Sequence, residues 1–116
     1  MIADAQTDFC YVTTTGRTSG NPHRIEIWFA AAADDRDTIF LLAGGRQRSD
    51  WVRNLEAHPA CTVEINGTRY DGTARMIEGT SEDGIARTLV HDKYATGDDL
   101  VEWRGSALPV AIDLTS

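Results

Sequence analysis

Two short stretches concentrate the groups that bind anions. The first, Thr13-Thr14-Thr15-Gly16-Arg17-Thr18-Ser19-Gly20, strings hydroxyls, glycines and an arginine together. A strand that ends this way offers free backbone N–H groups, side-chain donors and a cation in one bend, which is what an anion needs. The same residues also suit a hairpin turn whose glycines serve only backbone geometry. The second stretch, Gly44-Gly45-Arg46-Gln47-Arg48-Ser49, runs into a helical pattern. Helix N-terminal N–H groups and the positive end of the dipole favour a phosphate or carboxylate, and two arginines add bidentate donors. Its plainer reading is a capped helix with solvated arginines.

A third set is aromatic: Trp28, Trp51, Tyr94 and Trp103. Most aromatics in a small domain are core. Trp28, however, shares the polar face of its strand pattern with Arg24 and Glu26, and Trp103 lies in an irregular, charged stretch. A flat ring ligand needs such walls. Other chemistries find no support, since the G-x-S-x-G, G-x-x-x-x-G-K and G-x-G-x-x-G patterns are all missing. His23, His58 and His91 share no ligand spacing, so no metal is expected. Cys10 and Cys61 have neither metal nor redox-pair spacing, and reduced thiols in a cytoplasmic protein are the expectation.

Charge narrows the partners further. Eleven basic against 18 acidic residues give a net charge of −7, which argues against nucleic acid as a partner. Residues 16–24 nevertheless carry Arg17 and Arg24 with no acid, and residues 44–54 carry Arg46, Arg48 and Arg53 against Asp50 alone. Two positive loops on an acidic body describe a local anion site. The longest apolar run, residues 27–33, falls far short of the roughly 20 needed to span a bilayer. The start, MIADAQTDF, shows no export signal.

The elements that must position these groups fit one domain over residues 1–116. Strand patterns cover residues 9–15, 23–31, 38–43, 60–65, 68–77 and 107–114. In 23–31, Ile25, Ile27 and Phe29 share one face; 38–43 is apolar on both faces, as a central strand would be. Asn66-Gly67 between two strand patterns predicts a tight hairpin. A short helix follows Ser49 as N-cap and stops before Pro59, with Trp51 and Leu55 on one face. A second covers 82–95, where Ile85, Ala86, Leu89 and Val90 form an apolar stripe. Residues 97–106 read as irregular. Mostly antiparallel strands with two helices inserted late predict a small β-barrel or α+β domain.

The segments TTTGRTSGNPHRIEIWF, LLAGGRQRSDWVRNLEAHP and CTVEINGTRYDGTARMI resemble the deazaflavin-dependent nitroreductase family. These are coenzyme F420-dependent oxidoreductases with a split β-barrel related to the flavin mononucleotide (FMN)-binding barrels. The similarity covers residues 9–114, and the TTTGR-x-SG turn with the W-x-x-N-L helix carries it. It implies a mainly β fold, a six-stranded antiparallel split barrel with inserted helices. It also implies F420, a hydride carrier, with quinones, nitroaromatics or activated enones as acceptors. Arg17, Thr18 and His23 would then approach the coenzyme's ring and tail, and Ile25, Glu26 and Trp28 would lie along the ring. Ala43, Gly44, Gly45, Arg46, Arg48 and Ser49 would hold the phosphate and glutamyl tail, with Trp51 and Asn54 continuing that wall. Trp28, Tyr94 and Trp103 would border the substrate, and Tyr94, Glu26 or water would donate the proton. A homodimer is the favoured assembly. Two other readings stay open at this point: a split barrel using FMN or haem, and a deazaflavin carrier without turnover.

Overall fold

The computed structural model describes residues 5–32, 37–94 and 105–115. Strand β1 (Cys10–Thr15) alternates buried and half-buried positions, so Cys10, Val12 and Thr14 point inward. The bend after it closes on itself: Gly16 N–H donates to Asn21 O at 2.8 Å and Gly20 N–H to Gly16 O at 2.9 Å. Gly20 adopts φ 73°, a left-handed conformation that costs glycine nothing. Strand β2 (Pro22–Ile27) then returns antiparallel, with Thr14 opposite His23 and Val12 opposite Ile25.

The single strand expected over 23–31 is cut in two. After Ile27 the chain crosses through Trp28 and Phe29, and Ala30–Ala31 (β3) pairs with β4 (Thr38–Ala43). With β5 (Ala60–Ile65), β6 (Thr68–Met76) and β7 (Leu108–Thr115), the order across the sheet is β2-β1-β5-β6-β7-β4-β3, all neighbours antiparallel. The two edges, β2 and β3, are thus consecutive in the chain. From Ile27 to Ala30 the backbone reaches at most about 10 Å. The edges must therefore meet, and the sheet rolls into a half-barrel sealed covalently by Trp28-Phe29. The strand is interrupted because the chain changes pairing partners, which yields seven strands where the sequence pattern predicts six.

The barrel interior holds Cys10, Val12, Phe29, Ile39, Leu41, Val63, Val110 and Ile112. Helix α1 (Asp50–Ala57) drives Val52 and Leu55 into the same cluster. Its cap position is Ser49, as the sequence predicts, but the Ser49 side chain makes no capping bond. Helix α2 (Asp83–Tyr94) packs outside, where Ala86 and Val90 meet Phe40, Leu42 and Ala111. That second layer explains why β4 is buried on both faces. Of the expected α2 stripe, Ala86 and Val90 are buried and Leu89 packs partly buried against them, whereas Ile85 is 47% exposed. The Asn66-Gly67 turn is as expected, with φ 48° and 86° and Ile65 opposite Thr68.

Burial pushes the Cys10 thiol up to about 12 and Cys61 up to about 11. Both thiols should resist a disulfide reagent at pH 8 in the native protein and react promptly in urea; fast native reaction would contradict this packing. A second check is Gly72→Ala, whose Cβ would sit 2.6 Å from Ile112 Cγ2 and 3.3 Å from Cys61 Sγ. Overpacking there should cost about 1–3 kcal/mol in denaturant unfolding.

Candidate functional site

The bend 16–21 does not hang free in solvent. It is clipped to α1 by Asn54, a side chain only 3% exposed. The Arg17 backbone N–H donates to Asn54 Oδ1 at 3.1 Å, and Arg17 Nη1 donates to the same oxygen at 2.9 Å. Asn54 Nδ2 donates to Thr14 Oγ1 at 3.1 Å, and Thr14 is itself buried. Arg17 Nη2 also reaches Asp50 Oδ1 at 3.3 Å. Because α1 is anchored in the barrel by Val52 and Leu55, these bonds fix the bend relative to the core.

Between the bend and α1 lies an open pocket of about 520 Å³. Arg17, Thr18, Ser19, His23 and Arg24 bring polar groups to its lining, and Ile25 and Trp51 bring apolar surface. Asp50 stands at the rim, 83% exposed. The pocket gathers Arg17, Thr18, His23, Ile25, Trp51 and Asn54 from the residues the sequence points to. It also takes in Thr14 and Ser19 from the same hydroxyl-rich stretch, and Arg24 and Asp50, which the sequence marks only through the charge of their segments. Thr14 carries a legible signal, since a threonine at an inward position of β1 needs a buried partner.

The second cationic loop faces elsewhere. Ala43 ends β4 buried, and Gly44 and Gly45 form an exposed turn. Arg46, at φ 52°, is ion-paired to Glu78 and donates from Nη1 to Ser106 O at 2.8 Å. Arg48 is exposed, and Ser49 Oγ lies against Gly45, 2.6 Å from where a Cβ would stand. None of Ala43, Gly44, Gly45, Arg46, Arg48 and Ser49 lines the pocket.

Trp28, Tyr94 and Glu26 are also placed outside it. Trp28 stacks on Tyr94 with ring centroids 4.3 Å apart and planes within 5°. The Tyr94 hydroxyl accepts the Phe29 N–H at 3.0 Å and lies 2.6 Å from Asp8 O and 2.9 Å from Phe29 O. Burial pushes its pKa up to about 12. Lys93 beside it donates to Ala5 O, Thr7 O and Phe29 O at 3.0, 2.8 and 2.8 Å, which uses all three ammonium protons. The end of α2 thus fastens the Trp28-Phe29 crossing. Glu26 is exposed and accepts the Tyr11 hydroxyl at 3.1 Å, a bond that raises the Tyr11 pKa. Trp103 lies outside the described residues. Among the described residues no cluster of His, Cys, Asp or Glu could hold a metal, and no helix is long and apolar enough to cross a membrane.

The donor set suits a molecule with a flat ring and an anionic tail. Arg17 is oriented by a neutral amide, hydroxyls surround it, and the indole of Trp51 offers a planar face. A family model for F420H(2)-dependent quinone reductase matches residues 4–115. The chain belongs to this family; it is an F420-dependent oxidoreductase, and its cofactor is coenzyme F420. No curated protein is similar enough in sequence to count as a match. Among solved structures, an F420-H2-dependent reductase (FDR-A) is similar at 23% identity and TM-score 0.72, over 93% of this chain and 94% of that one. The haem storage protein HutZ from Vibrio cholerae is similar at 13% identity and TM-score 0.73, over 95% and 83%. At these identities the likeness is one of fold.

Tyr94→Phe removes the hydroxyl that takes the Phe29 N–H. It should lower stability by about 1–3 kcal/mol in urea and speed hydrogen exchange at the Phe29 amide. Unchanged exchange there would show that Tyr94 does not secure the crossing.

Proposed function

We propose that this chain passes a hydride from reduced F420 to a small quinone-type acceptor, with the coenzyme's anionic tail seated between the bend 16–24 and α1. The observation that carries the reading is the pocket that Arg17, Thr18, Ser19 and His23 line together with Ile25 and Trp51. Reduced F420 supplies the two-electron chemistry, and the protein supplies orientation and charge complementarity. Arg17 would donate its remaining N–H groups to phosphate or carboxylate oxygens, with Thr18 and Ser19 hydroxyls beside it. Trp51 would cover one face of the ring, and Ile25 would keep water from its edge.

Reduction of a quinone by hydride leaves an oxyanion that needs one proton. Tyr94 is a weak acid, pushed up to about 12, and its hydroxyl is engaged by the Phe29 backbone. Glu26 lies on the outer surface against Tyr11. Water reaching the open pocket is the donor this geometry favours. The family's own description supports a quinone-type acceptor.

Titration with F420 should quench intrinsic tryptophan fluorescence through Trp51; quenching by FMN and none by F420 would overturn the reading. Arg17→Ala should weaken F420 binding by about 1.5–3 kcal/mol, the size of a charge-assisted bond, and flatten its salt dependence. Arg46→Ala should weaken it less, because Glu78 already engages that guanidinium. The reverse ranking would move the tail to the second loop.

A further inference from the structure

Arg17 and Arg24 line the candidate site, Arg46 stands in the second loop outside it, and the partners of the three differ in charge. Arg24 donates to Glu64 Oε2 at 2.6 Å while lying over the Tyr11 ring, 4.2 Å from its centroid. Arg46 is paired with Glu78. Arg17 is held chiefly by an amide, through the backbone and guanidinium bonds to Asn54 Oδ1. A carboxylate partner offsets most of the field that a guanidinium presents to a third group, whereas an amide orients it and leaves the charge in place. The acid that does approach Arg17 is Asp50, at 3.3 Å and 83% exposed, where water screens it.

We propose that Asn54 is a positioning residue that sets the pocket's affinity for anions. It is a neutral clamp, fixing Arg17 on α1 while leaving the guanidinium charge for a ligand phosphate or carboxylate. The inference rests on the anion-binding role given above to this pocket. Its burial and its three bonds explain why the group is an amide and not a hydroxyl: one oxygen accepts twice, and the nitrogen supplies the donor that Thr14 takes. An aspartate at this position has nearly the same shape. It would accept both Arg17 bonds, and the Thr14 hydroxyl can rotate to donate to it. Asn54→Asp therefore preserves the fold's contacts and changes mainly the charge beside Arg17. Asp50→Asn changes the charge in the opposite direction at an exposed position.

The test measures dissociation constants of wild type, Asn54→Asp and Asp50→Asn for three probes: F420, the deazaflavin core without phosphate or glutamyl tail, and inorganic pyrophosphate. Tryptophan fluorescence reports binding, and urea unfolding of each variant runs alongside. Asn54→Asp should weaken F420 and pyrophosphate about tenfold, as one added charge nearby would, and leave the tail-less core within about twofold. Asp50→Asn should tighten the two anions by a few fold. Equal weakening of all three probes by Asn54→Asp would reduce Asn54 to a structural role, and unchanged anion affinity would remove even that link to the ligand. Should wild type bind pyrophosphate in this Asn54-dependent way but not F420, the cofactor seat falls and the clamp stands. Should F420 bind wild type and Asn54→Asp equally, the clamp falls and the cofactor seat stands.

Discussion

The buried amide of Asn54 joins α1 to the end of β1 and to the bend that follows it. It takes the backbone and the guanidinium of Arg17, and it gives a bond to Thr14 at the end of β1. Burying an amide and a hydroxyl costs free energy unless both find partners, and here they find each other. The bend, the first strand and α1 are thereby locked into one unit, and α1 carries that unit into the barrel through Val52 and Leu55. The pocket exists because of this junction: its donors come from the bend and its aromatic wall from the helix.

A second constraint acts where the sheet edges meet. Trp28 and Phe29 carry the chain from one sheet edge to the other, where regular strand pairing lapses. The Phe29 N–H and C=O are bonded by Tyr94 and Lys93, and Trp28 is braced by stacking on Tyr94. The aromatic pair and the chain's one lysine thus serve closure. The charged groups of the second loop do related work, since Arg46 ties the turn after β4 to Glu78 and to the backbone just before β7.

Local features were legible in the residues. Alternation in β1, the unbroken apolar run of β4, the Asn66-Gly67 hairpin and the position of Ser49 before α1 are all written in adjacent residues. The break after Ile27 was not, because the alternation of Ile25, Ile27 and Phe29 continues through it and only the change of pairing partner interrupts the strand. The same limit applies at the site. Two arginine-bearing loops look equivalent as strings of residues. Arg46 differs from Arg17 because Glu78, 32 positions away, claims it, whereas Arg17 meets an amide 37 positions away. What the motifs could identify was the bend and the W-x-x-N-L helix, and these are the two elements that form the pocket.

Hydrogen exchange of the protein with and without saturating F420 tests this account most directly. Binding between the bend and α1 should slow exchange at the amides of residues 16–20 and 23–25 and leave 44–48 and 105–106 unchanged. Protection confined to 44–48, with the bend exchanging as fast as before, would contradict it.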